Sequence, residues 1–144
     1  MLEKKERMVF DANFFICMLQ IRARNIIGNL ERAAKELGYD YFISEVVFNE
    51  IKAPHTYKDK LRQIMNVKEI LPIEIEDVKN DLIPYSVRFP AQDPDLSLVY
   101  IAKNLIEKSN SLPVHLVTDD FKLVKNTSLL YKGKINILSL SSFL

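Results

Sequence analysis

Met8-Val-Phe-Asp11-Ala-Asn13-Phe-Phe-Ile16 is a short apolar run that breaks into Asp-x-Asn and then resumes with a different spacing. Before the break, Met8 to Phe10 shows no polar/apolar alternation, which suits a strand buried on both faces, as in a parallel sheet. After it, Phe14, Cys17, Met18 and Ile21 recur at three- and four-residue intervals, the spacing of one helix face. The stretch reads as strand, turn and helix, with Asp11 closing the strand. An acid in that place is, taken alone, no more than a helix cap, because Asp and Asn favour the position.

The same alternation continues along the chain. Ile26, Leu30, Ala33, Ala34 and Leu37 mark a helix stopped at Gly38, and Tyr39 to Ile43 is a second strand. Ser44 is a good cap for a helix over Glu45 to Lys52, which Pro54 ends. An amphipathic helix follows from His55 to Asn66. Glu69 to Ile75 looks strand-like, with Pro72 pushing it to an edge, and Glu76 to Ile83 suits a short helix. After a loop holding Pro84, Pro90 and Pro94, the helix Asp95 to Lys108 is apolar on most sides and should be buried, with Asp93 as its cap. Val114 to Val117 is a strand, Phe121, Leu123 and Val124 begin a short helix, and Ile135 to Leu140 is the last strand. Strands alternating with helices imply βαβ units and a mostly parallel, three-layer α/β domain.

At 144 residues one domain, residues 1–144, is expected. Hydrophobic residues at 48% and charged residues at 27% are ordinary for a globular chain. No apolar run approaches the roughly 20 residues of a membrane span, and Asp11 and Asn13 interrupt what could pass for a signal peptide, so the expectation is a cytoplasmic protein without membrane contact. Cys17 is the only cysteine and His55 and His115 the only histidines, which excludes disulfide frameworks, cysteine-rich zinc sites and Cys-x-x-Cys redox chemistry. Gly28, Gly38 and Gly133 stand too far apart for a dinucleotide fingerprint or a phosphate loop. Net charge is +1; sequestering about five acids on a cation would leave a surface of roughly +6, permissive for nucleic acid.

The acids are placed more informatively than their number suggests. Asp11 and Asp119-Asp120 both stand at the C-terminal ends of strands, the edge where open α/β sheets bind ligands. Glu50 falls on the helix face expected to meet the sheet, where a carboxylate is costly unless neutralised. Asp95 begins the most buried helix with no capping duty left to it. Singly, each acid is better explained as a cap or a surface charge. Together they ask for a cation between them, because clustered carboxylates cannot all ionise unaided. Oxygen-only ligation, without histidine or thiolate, suits Mg²⁺ or Mn²⁺.

Four blocks resemble the PIN-domain ribonucleases: Val9-Phe-Asp11-Ala-Asn13, Ile43-Ser-Glu-Val-Val-Phe-Asn-Glu50-Ile, Asp95-Leu-Ser-Leu-Val-Tyr-Ile-Ala102 and Leu116-Val-Thr118-Asp119-Asp120-Phe121. With the closing strand and Ser142-Phe143-Leu144 the resemblance spans nearly the whole chain. It implies a three-layer α/β/α PIN-like fold with a central parallel sheet in the order 3-2-1-4-5. It further implies a metal-dependent ribonuclease, in which Mg²⁺ or Mn²⁺ is held by Asp11, Glu50, Asp95 and Asp119, with Asp120 a substitute or supplement for the last. Asn13 and Thr118 would support by hydrogen bonding, and a metal-activated water would attack the phosphodiester. The Thr-Asp-Asp-Phe block, with Lys125-Asn126 behind it, looks closer to ribosomal-RNA processing PIN domains than to the toxins of toxin–antitoxin pairs. The zinc ribbon that usually accompanies the processing branch has no counterpart in a chain with one cysteine. Partners consistent with the resemblance are single-stranded RNA, a second copy of the chain, and a protein inhibitor or antitoxin.

Arg22, Arg24 and Lys52 lie on segments following Asp11 and Glu50 and are the candidate RNA-phosphate contacts, although a solvated helix face explains each of them as well. Tyr39, Tyr41, Tyr57 and Phe121 could stack on bases, against core or strand roles. Two other classes compete: a catalytically silent PIN-like module that binds RNA or protein, and a phosphatase with an aspartyl nucleophile. The second normally uses Asp-x-Asp, and Asn13 removes its general acid.

Overall fold

Five strands, β1 (Arg7–Phe10), β2 (Asp40–Ser44), β3 (Asn66–Lys68), β4 (Val114–Val117) and β5 (Ile135–Leu138), run parallel in one sheet ordered β3-β2-β1-β4-β5. This is a computed structural model describing residues 6–23, 25–85, 91–109, 113–131 and 133–140. The helices are α1 (Ala12–Gln20), α2 (Ile26–Leu37), α3 (Glu45–Phe48), α4 (His55–Ile64), α5 (Pro72–Leu82), α6 (Asp93–Lys108) and α7 (Phe121–Tyr131). The expected three-layer α/β architecture and strand order are those observed. Among the described residues no helix is long and apolar enough to cross a membrane.

β1 and β4 are buried along their whole length, which is why neither shows alternation: in a parallel sheet covered on both sides, every side chain meets a helix or the core. Phe10 anchors the end of β1, with ring centroids 5.0 Å from Phe14, 5.5 Å from Phe15 and 5.5 Å from Tyr41. Tyr41 is buried and donates to the Leu30 carbonyl at 2.8 Å, which rules it out as a base-stacking platform. The buried Arg7 donates from its guanidinium to the carbonyls of Leu105 and Ser109. A cation there complements the C-terminal end of α6.

Three local expectations are corrected. Glu69 to Ile75 is not a strand: the third strand is Asn66–Lys68, and Pro72 opens α5 instead. A proline is as acceptable at the first helical position as on an edge strand, and Glu74 decides between them by accepting the Leu71 amide at 2.8 Å. The helix after Ser44 is a single turn ending at Phe48, so Glu50 lies in the following turn and is exposed rather than turned toward the sheet. At α6 the cap is Gln92, not Asp93, whose carboxylate pairs with Lys79 at 3.0 Å.

Thr127, 1% exposed on α7, has a hydroxyl without a hydrogen-bond partner. Burying an unpaired hydroxyl costs about 1–3 kcal/mol, and valine has nearly the same shape. Thr127→Val is expected to raise stability by about 1 kcal/mol, read as a higher denaturant midpoint at constant slope; an unchanged or lower midpoint would contradict this.

Candidate functional site

The chain turns from β1 toward β2 and β3 on one side and crosses back to β4 and β5 on the other, so the switch in direction falls between β1 and β4. Asp11 follows β1 and Thr118 follows β4 at that point. The ladder continues one step past both strands, with the Asp11 amide donating to the Val117 carbonyl at 3.2 Å. The crevice outside these strand ends is the standard ligand position in an open α/β sheet.

Asp11 occupies the cap position of α1 with extended backbone, yet its carboxylate makes no full capping hydrogen bond. It is 5% exposed and accepts the Thr118 hydroxyl proton at 2.8 Å. Burial pushes its pKa up, more than Thr118 and the amides of Asn13 and Ala12 pull it down, and Asp120 adds repulsion. Its strongest partner is therefore Thr118 across the strand edge, with the first amides of α1 adding to it. Asn13 itself is exposed, and its backbone rather than its side chain is what acts on Asp11.

Asp95, in the first turn of α6, has its pKa raised to about 7 by burial and then by Asp120, Asp11 and Glu50, with Lys122 opposing. Glu50 is likewise raised, by partial desolvation and by Asp11, with Lys52 opposing. Asp11, Glu50, Asp95 and Asp120 thus come from four separate segments into mutual electrostatic reach. Asp120 caps α7 through the Leu123 amide at 3.0 Å, and its own amide donates to the Thr118 hydroxyl at 3.0 Å. Asp119 does not share this arrangement. Its carboxylate accepts the Leu140 amide at 3.2 Å and it is exposed; of the adjacent pair it ties down the chain leaving β5, and Asp120 is the one that faces the other acids.

Three buried polar side chains, Ser44, Ser97 and Asn126, hold these segments together. The hydroxyls of Ser44 and Ser97 share a hydrogen bond of 2.6 Å, both fully buried. Asn126, also fully buried, accepts the Ala91 amide at 3.4 Å and donates to the Lys122 carbonyl at 2.7 Å. Ser97 carried a readable signal, a hydroxyl within the otherwise apolar run Leu96 to Val99, since a buried hydroxyl needs a partner.

The candidate RNA contacts separate. Lys52 stands beside Glu50. Arg22 lies beyond the far end of the nine-residue α1, about 14 Å of helix away from Asp11 at the usual rise, and is not brought to the acids. Arg24 lies outside the described residues. Lys122, not singled out above the others by sequence, is the cation that opposes the charge of Asp95. Phe121 is 59% exposed next to Asp120.

The acids present an oxygen-only donor set, the chemistry that hard divalent cations take. As the side chains lie, no three His, Cys, Asp or Glu groups among the described residues converge closely enough to hold an ion. Carboxylates repelling one another without a cation between them are expected to stand apart.

No protein-family model and no curated protein matches the chain by sequence. By structure it is similar to VapBC2 from Rickettsia felis, solved bound to a DNA fragment from its promoter, with a TM-score of 0.53 and 16% identity over 92% of this chain and 98% of that one. At such identity the likeness shows the fold alone, which is PIN-like.

Proposed function

We propose that the chain is a Mg²⁺- or Mn²⁺-dependent ribonuclease acting on single-stranded RNA. The observation that carries this reading is that Asp11, Glu50, Asp95 and Asp120, from four segments, stand within electrostatic reach at the β1/β4 edge, where burial and their repulsion raise the Asp95 pKa to about 7. Structural carboxylates are normally arranged to lower one another's cost; a set that raises it is characteristic of a functional site. When bound, the cation supplies a nucleophilic water at neutral pH and neutralises charge on the leaving oxygen.

The chain's own contributions follow from the geometry. Asp11, fixed by Thr118 and the start of α1, is the rigid ligand, and Asp95 and Asp120 complete its side of the site. Glu50, exposed in the turn after α3, completes the set from the other side. Lys52 and Lys122 supply positive charge to the backbone phosphates on either side, and the Phe121 ring offers a stacking surface for an unpaired base. A protein partner, whether inhibitor or antitoxin, fits the neighbour's occurrence as a VapBC2 assembly.

The second reading, a silent PIN-like binding module, is favoured by the separation of the carboxylates as they lie. Calorimetric titration with Mn²⁺ decides between the two: stoichiometric binding supports the nuclease and its absence the module.

Within the nuclease reading, Asp120→Asn is expected to weaken Mn²⁺ binding and cleavage by about tenfold to a hundredfold, while Asp119→Asn changes either by less than about threefold. The reverse order of effects would return the fourth position to Asp119.

A further inference from the structure

α3 is a single turn, Glu45–Phe48, and a helix so short has no stability of its own. It is held by Ser44, whose hydroxyl accepts the Val47 amide at 3.3 Å and is paired at 2.6 Å with Ser97. Ser97 gives its one proton to the carbonyl of Pro94 in the first turn of α6, so within the pair Ser44 is the donor. The pair therefore joins the turn leading to Glu50 directly to the turn that carries Asp95. On the other side Asn126 ties Ala91, just before α6, to α7, the helix that Asp120 begins.

Asp95, in the first turn of α6, stands within electrostatic reach of Asp120, Asp11 and Glu50, which lie on three other segments. Both serines are fully buried, with Val47, Phe48, Ile51 and Leu98 also buried. Separating the hydroxyls would leave the Ser44 proton without an acceptor away from water, at about 1–3 kcal/mol. We propose that Ser97 is a positioning residue for the acid cluster, its bond to Ser44 fixing the spacing between the Asp95 turn and the Glu50 turn so that one cation can reach both.

This inference rests on the metal-site reading above. The test is calorimetric titration of Mn²⁺ into the wild type, Ser97→Ala, Ser44→Ala and the double variant, with Thr127→Val as a control for removing a buried hydroxyl elsewhere and melting curves for all. Ser97→Ala is expected to weaken Mn²⁺ binding by about tenfold, the low end of the cost of losing a hydrogen-bonded support behind metal ligands. Ser44→Ala, which also loses the α3 cap, should do at least the same. The double variant should lose less than the product of the two single effects, because both changes break the bond between the two hydroxyls. Thr127→Val should bind as the wild type does. A folded Ser97→Ala variant within twofold of wild-type affinity overturns the proposal, as do Ser44 and Ser97 effects that multiply independently. If Asp11→Asn abolishes binding while Ser97→Ala does not, positioning alone fails; if the wild type takes up no Mn²⁺, the metal reading fails and this inference with it.

Discussion

Asp11→Asn is expected to lower cleavage of single-stranded RNA by at least about a thousandfold, some 4 kcal/mol of transition-state stabilisation, while the protein stays folded and melts no lower than the wild type. The two halves of this expectation have different origins. Activity is lost because the amide removes a negative charge from the most buried of the acids, held in place by Thr118 and the start of α1. Stability is kept because the amide oxygen can still accept the Thr118 proton, and Asn suits the extended backbone at a cap. Removing the charge also relieves the desolvation that raises the Asp11 pKa. Gel-based cleavage of an unstructured RNA in Mn²⁺, with thermal melts of both proteins, provides the measurement. Wild-type activity in the variant would rule out a site centred on Asp11, and a large fall in melting temperature would mean that the carboxylate is structural after all.

How much of this could be read beforehand depended on the range over which each residue's environment is decided. Asp11 was legible because a parallel strand buried on both faces writes itself as an unbroken apolar run, and the first polar residue marks its end. Gly38 was legible for a similar reason, standing at the left-handed φ of 73° that ends α2. Asp119 and Asp120 were not separable, since the partner that captures Asp119 is the amide of Leu140, across the end of the last strand. No local pattern announces that contact. Pro72 failed differently: an edge strand and a first helical turn both tolerate proline, and the deciding signal, Glu74 three residues after Leu71, was local and available. Arg22 was placed by its neighbourhood in sequence to Asp11, but α1 carries the chain away from the strand edge before Arg22 is reached. Ser97 fell within a run judged by its apolar majority, whereas its hydroxyl is what joins two acid-bearing turns.

In chelator, the melting temperature is expected to fall as pH rises from about 4 to about 7 and then to level off, with Asp95→Asn removing most of the slope. The folded-state pKa of Asp95 is raised to about 7 from 3.8. Between those values the folded protein holds a proton that the unfolded chain has released. Stability must therefore decline with increasing pH across that window, and it is flat above the folded pKa, where both states are ionised. A shift of this size would be worth about 4 kcal/mol at face value; solvent screening of a group that is only partly buried reduces it to about 1–2 kcal/mol, or a few degrees of melting temperature. Asp11 and Glu50, raised as well, act in the same direction. Mn²⁺ should reverse the trend, because cation and proton compete for the same oxygens. At a hundred times the dissociation constant it adds about 2.7 kcal/mol, most effective above pH 7, where no proton has to be displaced. A melting temperature in chelator that rises from pH 5 to 8, or a slope left undiminished by Asp95→Asn, would show that the acids are not coupled as their positions indicate, and would remove the electrostatic basis for placing a cation among them.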